Sequence, residues 1–279
     1  MFLNQAYSQD TLRRNTAWNA KWIGVNIFFD FGDYYSVNCY HKTVTLGSKP
    51  STFRIHVSAD NHYKLFVNGN MISVGPARSN RFTWKYETIN IAKYLKAGAN
   101  DIAAQVWNED TYRPSYQHTV RTAFIIQGNT STEEVMNTNN TWKCYQDKSI
   151  GPVYGYFVAV CGQRVDMSLA PPAGWNKAGF NNSAWPGAAE IFSGQLKGSL
   201  QMSNFMLVPS LMPQRELVRQ NITVVKASSG MTLPNPTFPL TVAANKTVTV
   251  LLDQTYETNA FPTVKFSGGA GAGISMGYA

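Results

Sequence analysis

The chain alternates apolar and polar residues over short stretches, which is typical of half-buried β-strands. In TFRIHV, the side chains of Phe53, Ile55 and Val57 fall on one face. The same two-residue period recurs in YKLFVNG, NDIAAQVWN and KTVTVLLD. It places these residues on single strand faces: Tyr63, Leu65 and Val67; Ile102, Ala104 and Val106; Val248, Val250 and Leu252. The pattern predicts an all-β protein.

Two local signals refine this prediction. Asn68-Gly69 is the strongest hairpin signal, because both residues tolerate the positive φ angles of a type I′ turn. Helical spacing is confined to TINIAKYLKAG, where Ile91, Tyr94 and Leu95 share a face and Gly98 would end the helix. The sequence therefore predicts one hairpin at a defined position and one short helix.

Composition changes along the chain predict three segments. Residues 1–17 form an N-terminal extension, and residues 18–215 form a β-sandwich with a loop-rich insertion around 129–196. Residues 216–279 begin a second β-sandwich. The final ISMGYA is strand-like and has no terminal signal, so we expect the chain to have been cut from a longer protein.

Charge and targeting patterns exclude some classes of protein. The net charge is +8, but Arg13-Arg14 is the one adjacent basic pair, and the sequence has no zinc-finger spacing or RNA-binding motif. Nucleic-acid binding is therefore disfavoured. No apolar run is long enough to span a bilayer, and MFLNQAYSQD lacks an intact signal-peptide pattern. Aromatic residues make up 13% of the chain, a content that suits sheet faces and sugar-stacking platforms.

The cysteines and the acidic residues do not indicate a disulfide scaffold or a catalytic site. Cys39, Cys144 and Cys161 are too few for a disulfide scaffold; buried thiols are favoured, and a Cys144–Cys161 bridge is the alternative. Glycoside hydrolysis needs two carboxyl groups that face each other across a cleft. Glu109-Asp110 is the better candidate pair, although a solvated loop is the favoured interpretation. No catalytic residue is predicted.

Candidate binding residues lie in and after the predicted hairpin. Asp60-Asn61 sits between two strands, where Asx side chains usually bond local backbone, or alternatively bind sugar hydroxyls or calcium. Arg78 in GPARS is a candidate donor to a hydroxyl-rich or carboxylate ligand, or a salt-bridge partner within the loop. Trp84, Tyr86 and Trp107 are candidate stacking rings, with core packing favoured for at least two of them. The predicted carbohydrate contacts are Asp60, Asn61, Arg78, Trp84, Trp107 and Asn108.

Several sequence segments, taken in order, resemble a known protein family. AKWIG, SADNHYKLFVNG, GPARSN, WKYETINIAKYLKAGAN and IAAQVWN, in that order, resemble the N-terminal region of bacterial α-L-rhamnosidases of glycoside hydrolase family 78. The resemblance continues through TWKC, GWNKAGFNNSAW, LVPSLMP and SGGAGAGISMGYA. The combination of SADNHYKLFVNG with YLKAGAN is also similar to the galactose-binding-like jelly rolls of other glycosidases.

The resemblance implies a fold and a role. It implies a galactose-binding-like jelly roll followed by the start of a second β-sandwich. In the family, an (α/α)6 barrel holds the acid and base of an inverting mechanism, and no such segment is present to receive a catalytic residue. Some accessory domains of the family bind rhamnose with calcium, which makes Asp60 and Asn61 candidate calcium ligands.

These observations favour a secreted or periplasmic accessory region of an α-L-rhamnosidase. We expect it to support the catalytic domain of the same chain and to contact a rhamnose-containing glycan. A stand-alone lectin-like carbohydrate-binding module is the alternative. A purely structural module and a self-sufficient enzyme are the two further hypotheses.

Overall fold

The computed structural model describes residues 18–25, 35–155, 161–198, 205–216, 218–222, 224–230, 238–258, 260 and 262–277. It divides into two compact units, Met1–Leu217 and Val218–Ala279. The described residues of the first unit form strands and short 3-10 turns, and those of the second unit form a pair of strands, in agreement with the predicted all-β class.

The first unit contains fourteen described strands. They are β1 (Lys21–Gly24), β2 (Ser36–Leu46), β3 (Arg54–Asp60), β4 (His62–Val67), β5 (Asn70–Gly75), β6 (Trp84–Asn90), β7 (Gly98–Asn108), β8 (Ala123–Gly128), β9 (Lys143–Gln146), β10 (Ile150–Val153), β11 (Gly162–Val165), β12 (Ala189–Ser193), β13 (Gln195–Leu196) and β14 (Met206–Pro209). Single 3-10 segments occur at Ala92–Tyr94, Asp110–Tyr112, Glu133–Met136 and Met167–Leu169.

Two sheets form a β-sandwich, which confirms the predicted fold. One has seven strands in the order β12-β1-β8-β3-β6-β14-β13, and the other has five in the order β5-β4-β7-β2-β9. A separate antiparallel hairpin pairs β10 with β11. The sheets bury a common core, to which β3 contributes Ile55 and Val57, and β4 contributes Tyr63 and Leu65.

The seven-stranded sheet is buried on its other face as well. There Trp22 stacks on Phe205 at a ring-centroid distance of 4.2 Å, and Trp84 meets Phe205 edge to face at 4.8 Å. Burying these rings stabilises the unit by about 2 kcal/mol or more each, on the scale of apolar side-chain burial. Because both faces are covered, β3 is buried along nearly its whole length instead of alternating between core and solvent.

The predicted hairpin is confirmed and the predicted helix is wrong. Asn68 and Gly69 join β4 to β5 with φ angles of 49° and 84°, the two positive values that a type I′ turn requires. The segment around Ile91 and Leu95 instead forms the single 3-10 turn Ala92–Tyr94. Both apolar side chains are buried in the core, so the apparent helical spacing reflects a tight corner between two strands.

Residues 179–185 of the predicted insertion pack on the outer face of the five-stranded sheet. The backbone N–H of Gly179 donates to Asp101 Oδ2 at 2.6 Å, and Asn182 Nδ2 lies 2.8 Å from Nδ1 of the buried His41. Trp185 stacks on Tyr145 at 5.2 Å. These residues cover part of β2, β7 and β9, and the insertion itself also supplies the strands β9 to β13.

The cysteine thiols of this unit are free. Cys39 and Cys144 are buried, and Cys161 is partly exposed, so the alternative Cys144–Cys161 bridge is wrong. Burial raises the pKa of the Cys144 thiol to about 11, which keeps it protonated and unreactive at neutral pH. No helix among the described residues is long and apolar enough to cross a membrane.

The second unit has one described antiparallel pair, β15 (Val224–Ser229) with β16 (Thr249–Asp253), with a register shift between Val225 and Ala227. The predicted strand in KTVTVLLD is present over Thr249–Asp253. Val248 and Val250 are partly buried and the alternate residues Thr249 and Leu251 are exposed, as predicted, but Leu252 on the Val250 face is 39% exposed. Apolar side chains exposed elsewhere in this unit include Val242, Tyr256, Val264, Phe266, Ile274 and Met276.

Candidate functional site

A partly exposed tryptophan marks one surface of the five-stranded sheet. Trp107 on β7 pairs with His62 on β4, and their rings lie 5.3 Å apart. Lys64 is two residues further along β4 on the same face, with its Nζ 5.7 Å from the Trp107 ring centroid. The two-residue period of β4 produces this arrangement, because the intervening Tyr63 points into the core. We call His62, Lys64, Arg78, Trp107 and Glu109 the Trp107 surface.

Glu109 supplies the carboxylate of this surface. It directly follows β7, is 5% exposed, and its Oε2 has no hydrogen-bond partner. Burial raises the pKa of Glu109, while a hydrogen bond from the Trp107 side chain and the positive charge of Arg78 oppose the rise. The Glu109 carboxylate is therefore enclosed beside the indole ring, and the hydrogen bond from the Trp107 side chain helps to fix the position of that ring.

His62, the imidazole of the same surface, is held in its neutral form. Burial lowers the pKa of His62 to about 4, and the nearby charges of Arg215 and Arg78 add to this effect. His62 is therefore neutral at pH 7 and can either donate or accept a hydrogen bond. Burial also lowers the pKa of Lys64.

Asp60 and Asn61 lie beside this surface in a closed hydrogen-bond network. Asp60 is fully buried, and its Oδ2 accepts from the backbone N–H groups of Val120 at 2.6 Å and Arg121 at 2.9 Å. Its Oδ1 accepts from Asn61 Nδ2 at 2.6 Å and from Asn108 Nδ2 at 3.5 Å. Burial raises the pKa of Asp60 to about 6, although these hydrogen bonds favour the ionised form.

The same network tests the predicted calcium ligands. Both carboxylate oxygens of Asp60 are engaged, and Asn61 Oδ1 accepts from the backbone N–H of Glu109 at 2.9 Å. Calcium needs six to eight oxygen ligands. In the part of the chain that the structure describes, no group of three or more His, Cys, Asp or Glu side chains is arranged to hold a metal. Asp60 and Asn61, as folded here, do not fit a calcium ion.

The other predicted contacts are divided between surface and interior. Arg78 is exposed and Trp107 partly exposed, so both are open to a ligand. Trp84 is 1% exposed and its Nε1 donates to the carbonyl of Ala59 at 3.3 Å, which favours core packing over stacking on a sugar. Asn108 is also buried, where it donates to Thr119 Oγ1 at 2.7 Å.

The favoured interpretation of Glu109-Asp110 as a solvated loop is wrong. Both residues are at least 95% buried, and Asp110 begins a 3-10 turn with its backbone N–H donating to Asn108 Oδ1 at 2.8 Å. Sequence reasoning also did not single out Lys64 or Arg215 as functional. The alternation in HYKLFV could have placed Lys64 beside His62, but no sequence signal brings Arg215 to this surface.

Comparison with known proteins decides the family. A family model described as the alpha-L-rhamnosidase N-terminal domain matches residues 48–207, more than half of the chain. This chain belongs to that family. The matched range of the rhamnosidase N-terminal domain includes every residue of the Trp107 surface. No curated protein gives a match.

Solved rhamnosidase structures share the fold. The family 78 rhamnosidase of Bacillus sp. GL1 is 21% identical, with a TM-score of 0.64 over 76% of this chain and 22% of that one. The α-L-rhamnosidase of Dictyoglumus thermophilum is 19% identical, with a TM-score of 0.52 over 72% and 23%. That of Aspergillus terreus is 19% identical, with a TM-score of 0.51 over 76% and 25%. The chain thus spans about a quarter of these rhamnosidases or less, and the resemblance to family 78 is confirmed for that region.

The low pKa of His62 predicts a pH-dependent stability. Because the folded state disfavours protonated His62, stability is full above pH 6.5 and is lost as the pH falls from 6.5 toward 4. Asp60 acts oppositely, since its raised pKa lets the folded state gain stability as the pH falls through 6. When the pH is lowered from 7 to 4.5, the free energy of unfolding of wild type should therefore fall by about 2 kcal/mol more than that of the His62→Gln variant.

Urea unfolding at both pH values measures this difference for the first unit. His118→Gln, which removes an exposed imidazole, is the control for loss of a histidine. Parallel pH profiles for wild type and His62→Gln would show that His62 is not desolvated as described.

Proposed function

We propose that this chain is a non-catalytic accessory region of an α-L-rhamnosidase that contacts carbohydrate through the Trp107 surface and supports the catalytic domain of the same protein. The family match and the shared β-sandwich support the accessory assignment. The observation that carries the carbohydrate contact is the partly exposed ring of Trp107, with Lys64 Nζ 5.7 Å from its centroid.

Each group of the surface has a role in this proposal. The Trp107 ring stacks on the apolar face of a pyranose, and the buried Glu109 carboxylate holds that ring in position through the hydrogen bond from the Trp107 side chain. Lys64 and Arg78 donate to ring or hydroxyl oxygens at the rim. These contacts hold a glycan, and no step of bond cleavage is assigned to them.

Hydrolysis of terminal α-L-rhamnose belongs, in this proposal, to a catalytic domain elsewhere in the same protein. An inverting mechanism needs two carboxyl groups about 6.5–9.5 Å apart with a water molecule between them. Glu109 and Asp110 are consecutive residues entering one tight turn, and the hydrogen bond from Trp107 ties Glu109 to its own strand. We place the parent enzyme in the periplasm or outside the cell, which fractionation of the native host would test.

Ligand titration tests the carbohydrate contact. L-Rhamnose or a rhamnosylated oligosaccharide should quench or shift tryptophan fluorescence and release heat in calorimetry. Trp107→Ala should weaken binding by about tenfold, because a stacked ring contributes about 0.5–1.5 kcal/mol beyond its buried area. Phe82→Ala, at a ring that is 52% exposed in the following loop, is the matched control and should bind like wild type.

Two further measurements distinguish carbohydrate binding from a purely structural role and from enzymatic activity. Binding should be unchanged by EDTA or added calcium, because Asp60 and Asn61 already use their oxygens internally. An aryl α-L-rhamnoside should release no chromophore. Absence of heat and fluorescence change with every glycan would leave a purely structural module, and chromophore release would indicate an enzyme.

A further inference from the structure

Two partly exposed tryptophan rings lie on the outer face of the five-stranded sheet. Trp107 is opposite His62 of β4, with the two ring centroids 5.3 Å apart. Trp175 comes from the segment between β11 and β12, and its ring meets that of Phe66 edge to face at 6.0 Å. His62 and Phe66 both point outward from β4, because the residues that alternate with them lie in the core. Both indole rings are therefore on the same side of the sheet.

The distance between the two rings follows from the geometry of β4. His62 and Phe66 are separated by four residues of one strand, which corresponds to about 13 Å along its axis. The loop of Trp175 reaches the hairpin end of β4, since Lys177 Cα lies 3.6 Å from the position that a Cβ atom would take at Gly69. Trp107 is at the opposite end. One sugar ring, which is no larger than an indole, therefore cannot contact both tryptophans.

A pair of polar side chains lies between the two rings. Gln105 of β7 pairs with Lys64 of β4, midway between His62 and Phe66, and both are partly exposed. The Gln105 amide can donate and accept hydrogen bonds at the same time, as sugar hydroxyl groups also do. The outer face thus presents a ring, an amide and a second ring in one line. We call Phe66, Gln105, Trp107 and Trp175 the aromatic strip.

We propose that the aromatic strip binds a linear oligosaccharide, with one sugar stacked on Trp107 and another sugar of the same chain stacked on Trp175. This inference rests on the proposed carbohydrate contact and adds the class of ligand, a chain of several sugars instead of a single terminal one. Linked sugars present successive apolar ring faces and hydroxyl groups, which match two stacking rings with an amide between them.

Trp175 is positioned by the protein before any ligand binds. Its ring centroid lies 6.2 Å from that of Trp185, which is 5% exposed and stacks on Tyr145 at 5.2 Å. The backbone N–H of Trp175 donates to the carbonyl of Pro172 at 3.2 Å. A ring held in this way loses little conformational freedom on binding. Once a chain is bound at one tryptophan, its contact with the other is intramolecular, which raises the overall affinity.

Calorimetry of the whole chain with L-rhamnose and with a linear α-linked rhamnotetraose tests the inference. We expect the tetrasaccharide to bind about tenfold more tightly, because only the longer ligand gains the second stacked ring. Trp175→Ala should remove this advantage and leave the affinity for L-rhamnose unchanged, whereas a general loss of structure would weaken both. Tyr154→Ala removes an 85% exposed ring next to β10 and should bind both ligands like wild type.

Oxidation of the wild-type protein by N-bromosuccinimide, mapped by mass spectrometry, gives a test that does not depend on how a variant folds. The tetrasaccharide should protect both Trp107 and Trp175, and L-rhamnose should protect Trp107 alone. Protection of Trp107 alone by the tetrasaccharide would overturn the role of Trp175.

The outcomes distinguish this inference from the proposed function. Equal affinity for L-rhamnose and the tetrasaccharide, with both weakened by Trp107→Ala, would overturn the aromatic strip and leave the carbohydrate contact standing. An advantage of the longer ligand that survives Trp175→Ala would also overturn the strip. No binding of either ligand would overturn the proposed function together with this inference.

Discussion

Replacing Asp60 by alanine is expected to destabilise the first unit by about 3 kcal/mol at pH 7. The substitution removes the acceptor of four hydrogen bonds, from Val120 N, Arg121 N, Asn61 Nδ2 and Asn108 Nδ2. Each donor left buried and unpaired costs about 1–3 kcal/mol. Relief from burying a carboxylate offsets part of this loss, because burial already raises the pKa of Asp60 to about 6.

The pH dependence gives this prediction a second measurement. The contribution of Asp60 to wild-type stability grows as the pH falls from 6 toward 4, opposite in sign to that of His62, because the folded state binds a proton at Asp60 more tightly than the unfolded chain. The alanine variant cannot make that gain. Its deficit in the free energy of unfolding should therefore be larger at pH 4.5 than at pH 7.

Two companion variants make the test specific. Asp60→Asn should also destabilise, since its amide NH₂ would face other donors, although one oxygen still accepts. Asp166→Ala removes a carboxylate from an exposed turn and should leave the midpoint of urea unfolding close to that of wild type. An unchanged midpoint for Asp60→Ala would show that the network around Asp60 does not hold the loop at Val120.

The strands could be predicted from the sequence because a period of two is a local property. The hairpin at Asn68-Gly69 depends on two adjacent residues, and it was predicted for the same reason. Ile91 and Leu95 show where local reasoning fails. Their spacing suits a helix, but both side chains are needed in the core at a corner between β6 and β7, and a single 3-10 turn places them there.

The candidate site was less predictable because it depends on contacts distant in sequence. Asp60 lies 60 residues from Val120, to which it is bonded, and nothing in the ADN motif alone indicates that both of its oxygens are occupied. A solvated loop is the interpretation that the sequence favours for Glu109-Asp110. The structure instead buries Glu109, whose backbone N–H donates to Asn61 Oδ1 at 2.9 Å, and no local pattern encodes a contact between residues 48 positions apart.

Gly128→Ala is expected to destabilise the first unit by about 4 kcal/mol, the largest effect of any substitution considered. A Cβ atom at Gly128 would lie 2.5 Å from the backbone nitrogen of Glu134 and closer still to the carbonyl group of Glu133. Overpacking usually costs about 1–3 kcal/mol when side chains can shift. Here the obstacle is backbone, so the turn itself must move.

The turn at Glu133 and Glu134 is held by hydrogen bonds on both sides. Moving it to make room for a Cβ atom at position 128 is therefore costly. The backbone N–H of Gly128 donates to Asn137 Oδ1 at 2.7 Å. Glu133, 6% exposed, accepts from the backbone N–H of Arg54 at 3.1 Å and of Thr130 at 2.8 Å. Moving the turn away from β8 would strain or break these bonds along with the close approach.

Gly151→Ala is the matched control, because this glycine also lies in a strand and a Cβ there meets nothing within 4 Å. Thermal and urea unfolding should show a large loss for Gly128→Ala and little change for Gly151→Ala. Similar unfolding midpoints for the two variants would mean that the turn at Glu133 can move to accommodate the added methyl group at little cost in stability. In that case the glycine at position 128 would not be required for the close contact between β8 and this turn.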